Sequence, residues 1–127
     1  MGLLESEVFG PAPRRRRKPE RTIQRAIVVY LRARGCLVAV TDAGAAFRAG
    51  AFFGDSIPAG WPDITGLLPS GRFIGVECKA PGGRQSPAQK VMEQEIRRRG
   101  GIYVVARGVE DVQEALRNAD TDHDAPG

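Results

Sequence analysis

The stretch Trp61–Gln89, WPDITGLLPSGRFIGVECKAPGGRQSPAQ, constrains this chain more than any other. Two apolar runs, Ile64–Leu68 and Phe73–Lys79, flank Pro69-Ser70-Gly71, a turn composition, so they read as a β-hairpin. In a strand, side chains two residues apart share a face. Glu77 and Lys79 therefore stand side by side, while Ile74, Val76 and Cys78 point the other way, into an apolar layer. Charges on so apolar a strand cost free energy unless they are paired or bound. Asp63, opening the first strand, brings a second acid to the same place. Two carboxylates and a lysine so arranged can hold a divalent cation and hydrolyse a phosphodiester. The bland alternative is a charged edge that blocks aggregation, and neither Pro-Asp nor Glu-x-Lys means anything alone. Their order on consecutive strands is more specific.

Around this hairpin the chain divides simply. Residues 1–19 carry the basic run Arg14, Arg15, Arg16, Arg17, Lys18 among prolines and read as a flexible arm. Glu20–Arg34 is amphipathic, with Ile23, Ala26, Ile27, Tyr30 and Leu31 at helical spacing and Gly35 as the stop. Cys36–Thr41 is a short strand. Asp42–Gly60, rich in Gly and Ala with Phe47, Arg48, Phe52 and Phe53, is a loop long enough to be functional. Ser86 should cap a helix that begins at Pro87 and runs to Arg99. A strand over Ile102–Ala106 and a helix over Val109–Arg117 follow, and residues 118–127 read as a disordered tail. The expectation is one α/β domain over residues 20–117, its mixed sheet flanked by helices.

Composition narrows the partners. A chain of 127 residues with net charge +4 suits a polyanion. It has no apolar run of membrane-spanning length and no start resembling a signal peptide, so no membrane partner is expected and the reading is a soluble cytoplasmic protein. Two cysteines and one distant His123 make no zinc ligand set.

The GWPD turn, the SGRFIGVECK strand, the GGRQSPAQ turn into a helix and the RGGIYVVARGVEDV ending together resemble the VRR-NUC family of the PD-(D/E)xK nuclease superfamily, over roughly Glu20–Leu116. The resemblance implies a restriction-endonuclease-like α-β-β-β-α-β core and a metal-dependent endonuclease. It implies Mg²⁺, with Mn²⁺ as substitute, held by Asp63, Glu77 and the backbone carbonyl of Cys78. It also implies branched DNA as substrate, a homodimer, and action in a bacterial cytoplasm whether the gene is bacterial or from a bacteriophage. Stand-alone members of this kind resolve four-way (Holliday) junctions. The rivals are a flap or single-strand endonuclease and, from another class, a non-catalytic DNA-binding module.

Several residues carry two readings. Lys79 would orient the attacking water, act as base, or balance phosphate charge; its structural alternative is a salt bridge to Asp63 or Glu77. Glu20 matches the family's helical glutamate near the metal, although acids favour a helix's first turn anyway. Gln89 completes a Ser-x-x-Gln capping box, and it also matches the family's glutamine beside the catalytic lysine. Arg84 and Lys90 are candidate phosphate anchors beside Gly82-Gly83, and Arg48 a candidate DNA contact. The glycine spacing is not that of a phosphate-binding P-loop, so no nucleotide cofactor is expected.

Overall fold

The computed structural model describes residues 14–41 and 57–124, with side chains over 20–41 and 57–119. The chain runs α1 (Arg14–Ala33), β1 (Leu37–Val40), β2 (Ile64–Leu67), β3 (Phe73–Cys78), α2 (Pro87–Arg98), β4 (Ile102–Ala106) and α3 (Val109–Asp124). The sheet order is β1-β2-β3-β4, with β1/β2 and β2/β3 antiparallel and β3/β4 parallel. This is the expected α/β fold: an antiparallel meander whose last strand returns through a helical crossover.

Local signals set the element ends. At the end of α1, Gly35 takes φ +84°. The Cys36 N–H reaches the Leu31 carbonyl and the Gly35 N–H the Arg32 carbonyl, each at 3.0 Å. This paired closure satisfies the helix's last carbonyls and favours glycine at the left-handed position. The Pro69-Ser70-Gly71 turn closes on a Gly71 N–H to Leu68 carbonyl bond of 2.8 Å.

The two faces of the sheet differ. On one, Ile64, Ile74, Val76, Cys78, Val104 and Ala106 pack with Ile27, Val28 and Leu31 of α1 and Val112, Leu116 and Ala119 of α3. On the other, Thr65, Gly75 and Tyr103 lie in register across β2, β3 and β4, and Glu77 stands two residues beyond Gly75. The dry face thus supplies the core, and the opposite face is left for polar groups under α2.

The helix boundaries depart from expectation at both ends of the domain. The helix α1 begins at Arg14, so the basic run, read by sequence as part of a flexible arm, forms its first turns; residues 1–13 lie outside the described residues. Arg and Lys are good helix formers, and Pro19 removes only one backbone bond near the start. Within α1, Val28 is buried and Ala26 exposed, so Val28 completes the core face. The helix α3 extends to Asp124, and Ala119, placed by sequence in the tail, is 6% exposed in the core. That contact carries the helix past Arg117.

Candidate functional site

The site forms where the β2–β3 ladder runs out. The last register pair is Ile64 with Val76, and one step further sets Asp63 opposite Glu77. Asp63 Oδ2 accepts the Cys78 N–H at 2.9 Å, so the carboxylate takes the place of the next ladder bond. In a strand the N–H and C=O of one residue point to the same side, which turns the Cys78 carbonyl toward Asp63 as well. The Cys78 thiol side lies in the dry core.

Glu77 is 2% exposed. Its Oε2 accepts from Gln89 Nε2 at 2.7 Å and lies 3.7 Å from Lys79 Nζ. Gln89 makes two sets of contacts at once. Its Oε1 accepts the Ser86 N–H at 2.8 Å while the Gln89 N–H donates to Ser86 Oγ at 3.1 Å, closing the capping box. The same amide's nitrogen then holds the buried carboxylate. Of the two partners open to Lys79, the structure shows Glu77.

Two glycines and two threonines set this geometry; sequence reasoning had only Gly60, as part of the GWPD turn, and missed the other three. A Cβ on Gly75 would lie 2.8 Å from Pro62 Cγ, so the buried Pro62 ring rests over Gly75 and delivers Asp63. Gly60, at φ +81°, would put a Cβ 2.3 Å from the Ala88 carbonyl oxygen, so only glycine lets the GWPD turn approach the start of α2. Thr65 Oγ1 donates to Thr41 Oγ1 at 3.1 Å, and Thr41 Oγ1 donates to the Pro62 carbonyl at 2.9 Å. The Thr41 N–H meets the Asp63 carbonyl at 2.7 Å. The available signal was Thr41 and Thr65 at the ends of otherwise apolar strands, which needs the strand pairing to be read.

Tyr103 was missed too. It is 1% exposed on the site face, and its hydroxyl accepts from Gln85 Nε2 at 3.4 Å. Burial pushes that hydroxyl up to about 12; the Gln85 bond opposes the shift, and the charges of Glu77, Glu93 and Asp63 add to it.

The other candidates are spread out. Glu20 is exposed, and its Oε1 receives the Ala80 N–H at 3.4 Å, a long bond that leaves it at the margin beside Lys79. Arg84 and Lys90 are exposed at the loop and on α2. Arg107 donates to the Gly83 carbonyl and ties that loop to the end of β4. Arg48 and the loop over 42–56 lie outside the described residues, as do the side chains of Arg14–Lys18.

The donor set is two carboxylates and a carbonyl, all hard oxygen ligands. Among the described residues, no three His, Cys, Asp or Glu side chains gather to hold a metal. Two carboxylates suit an ion that keeps several waters.

Residues 48–110 match the sequence model of the VRR-NUC domain. The chain carries a VRR-NUC domain. The match spans Asp63, Glu77, Lys79 and Gln89 and stops short of Glu20. A solved structure titled VRR_NUC domain superposes with TM-score 0.59 at 23% identity, over 78% of this chain and 95% of its own. Another, a VRR_NUC domain protein, gives 0.56 at 18% identity, over 81% and 88%. At those identities the likeness speaks for the fold. No curated protein matches the chain. A VRR-NUC domain implies a nuclease of the PD-(D/E)xK type with DNA as partner, and such nucleases are generally metal-dependent.

Proposed function

We propose that the protein is a Mg²⁺-dependent, structure-selective DNA endonuclease working as a homodimer on four-way junctions. The observation that carries the chemistry is the Gln89–Glu77–Lys79 chain beside an Asp63 fixed by the Cys78 N–H. Asp63, Glu77 and the Cys78 carbonyl would hold the ion, which when bound supplies an activated water and neutralises phosphate charge. Lys79 Nζ stands where it can orient the water and balance charge developing on the phosphate. Gln89 holds Glu77 to one rotamer, so the carboxylate needs no reorganisation during turnover.

Self-association is supported by the edge strand. Leu37 is 75% and Leu67 41% exposed, the two pair in register, and among the described residues β1 has no outer neighbour in the sheet. An apolar face on an open edge favours a second copy, and two copies provide the two nicks a junction needs.

A flap or single-strand endonuclease is the second reading. Trp61 and Phe73 meet edge to face, with centroids 5.9 Å apart, and with Met92, Ile96 and Arg99 they line a cavity of about 410 Å³. Unstacked bases favour such aromatic surfaces.

Nicking assays with Mg²⁺ over junctions, flaps, single strands and duplexes, run beside light scattering, separate the readings. A dimer preferring junctions is expected, with Glu77→Ala and Lys79→Ala inactive but still binding DNA. A monomer that cuts flaps and junctions equally would end the resolvase reading. Cleavage by Glu77→Ala at near wild-type rate would end the assignment of the site.

A further inference from the structure

The arginines of this domain fall into two groups. At the end of α2 each is engaged: Arg97 pairs with Glu93, while Arg98 and the capping Arg99 share Glu95. On α1 the balance is different. Its sequence, RRRRKPERTIQRAIVVYLRA, holds eight cations and one acid. That acid, Glu20, is bonded to the Ala80 N–H at the margin of the site. Arg21 and Arg25 are exposed, and among the described residues neither has a carboxylate partner.

Helical spacing aligns them. Arg21, Arg25 and Arg32 recur at intervals of four and seven, which keeps them on one line of the helix, about a third of a turn round from the buried Ile27 and Leu31; Arg32 is engaged there by the Val38 carbonyl at 3.2 Å, which leaves Arg21 and Arg25. Backbone positions 14 and 18 continue that line, which extends about 27 Å from 14 to 32 at 1.5 Å per residue. Arg21, Thr22, Arg25, Ala26 and Val29 line a surface concavity of about 660 Å³. Arg21 and Arg25 lie about 6 Å apart along the axis, close to the rise of two base pairs at 3.4 Å each.

We propose that the outer face of α1 is a phosphate rail that seats one strand of duplex DNA on Arg21 and Arg25, beyond the segment that enters the active site. The inference rests on the nuclease reading for its choice of polyanion. Unneutralised, exposed guanidiniums carry their full charge to a partner, whereas a guanidinium already paired gains less from a phosphate. The α1 face, rather than the Arg97–Arg99 run, is therefore the basic surface that counts. Because Glu20 and Arg21 are consecutive, a strand on this rail leads toward the Lys79–Ala80 margin of the site.

The test is the salt dependence of binding to a blunt duplex in EDTA, where no cleavage occurs. Each phosphate contact contributes about 0.9 to the log–log slope. Arg21→Ala with Arg25→Ala should lower the slope by about 1.8, so that raising salt fourfold weakens the wild type about twelvefold more than the variant. The Arg21→Lys, Arg25→Lys pair should restore the slope, because charge is what the rail uses. Alanine is a good helix former at exposed sites, and an unchanged melting curve checks that α1 persists. An unchanged slope in the alanine variant overturns the proposal, as does a loss that lysine fails to restore. So does retention of duplex binding with loss of binding to anionic phospholipid vesicles, which would assign the face to a membrane surface. A wild type that binds with this slope but cuts nothing with any divalent ion would leave the rail standing and remove the nuclease reading instead.

Discussion

Replacing Gln89 with glutamate isolates the contact that holds the buried carboxylate. The variant keeps an oxygen to accept the Ser86 N–H, so the cap survives. It loses the Nε2 donor that lies 2.7 Å from Glu77 Oε2 and sets one carboxylate against another. At that separation two unit charges repel by about 6 kcal/mol at an effective dielectric of 20; Gln89 is half-buried, so solvent screening makes this a ceiling. Uptake of one shared proton relieves the repulsion, and it costs about 1.36 kcal/mol for each pH unit above the ordinary carboxyl value near 4.3. The penalty is therefore limited to about 1 kcal/mol at pH 5 and about 4 kcal/mol at pH 7.5. The sign follows from linkage. The folded variant binds more protons than its unfolded chain, so its stability relative to wild type falls as pH rises.

Urea denaturation in EDTA at pH 5, 6 and 7.5 measures this directly, with Gln89→Ala and Ser86→Ala beside it. Ser86→Ala should cost about 1 kcal/mol at every pH, the ordinary value of a helix cap. Gln89→Ala should cost about 1.5–3 kcal/mol more, because it also leaves a buried, charged acceptor without its amide donor. Only Gln89→Glu should acquire a pH slope. A flat difference between Gln89→Glu and wild type across this range would refute the contact, and so would Gln89→Ala matching Ser86→Ala.

Three further outcomes are expected. Asp63→Asn should retain stability, since an amide oxygen still accepts the Cys78 N–H, whereas Asp63→Ala should lose about 1–3 kcal/mol by leaving that donor unsatisfied; both should lack cleavage activity, and equal melting of the two variants would contradict the bond. Gly75→Ala should cost about 1–3 kcal/mol by overpacking Pro62 and reduce cleavage on the order of a hundredfold by displacing Asp63, which single-turnover rates would show; a cleavage rate within twofold of wild type would rule out the Pro62 stacking argument. The raised Tyr103 hydroxyl, at about 12 against about 10 in an unfolded chain, stabilises the fold fully below pH 10, and about 2 kcal/mol is lost as pH climbs to 12; Tyr103→Phe should flatten that alkaline limb, measured by denaturation.

The hairpin, the α2 cap and the acids were legible because each is written in adjacent residues. Ser86, Pro87 and Gln89 announce a capping box at fixed spacing, and Glu77-Cys78-Lys79 declares its two faces by alternation alone. What could not be read depends on pairs distant in sequence. Thr41 and Thr65 lie 24 residues apart along the chain, and only the register of β1 against β2 brings their hydroxyls together. Gly75 looks like a weak point in a strand until Pro62 is placed over it. The extent of α1 and α3 was underestimated because local signals favoured stopping: Pro19 near one end and a run of polar residues near the other. In α3 a tertiary contact at Ala119 outweighed them.

The same dependence explains why Glu20 and Gln89, both candidates by position, occupy such different places. Gln89 is fixed by its own helix terminus. The cap that satisfies Ser86 also sets the amide's direction, and Gly60 lets the Asp63 turn close on the same first turn of α2. Glu20 belongs to α1, which packs on the opposite face of the sheet and reaches the site only around its edge. Its bond to Ala80 is long, and among the described residues no second contact directs it. A carboxylate so held can follow a substrate or an ion, where Glu77 cannot. The active-site end of the domain thus joins Glu77, fixed between β3 and α2, to Glu20, held by one long bond from α1, the helix that also carries the exposed Arg21 and Arg25.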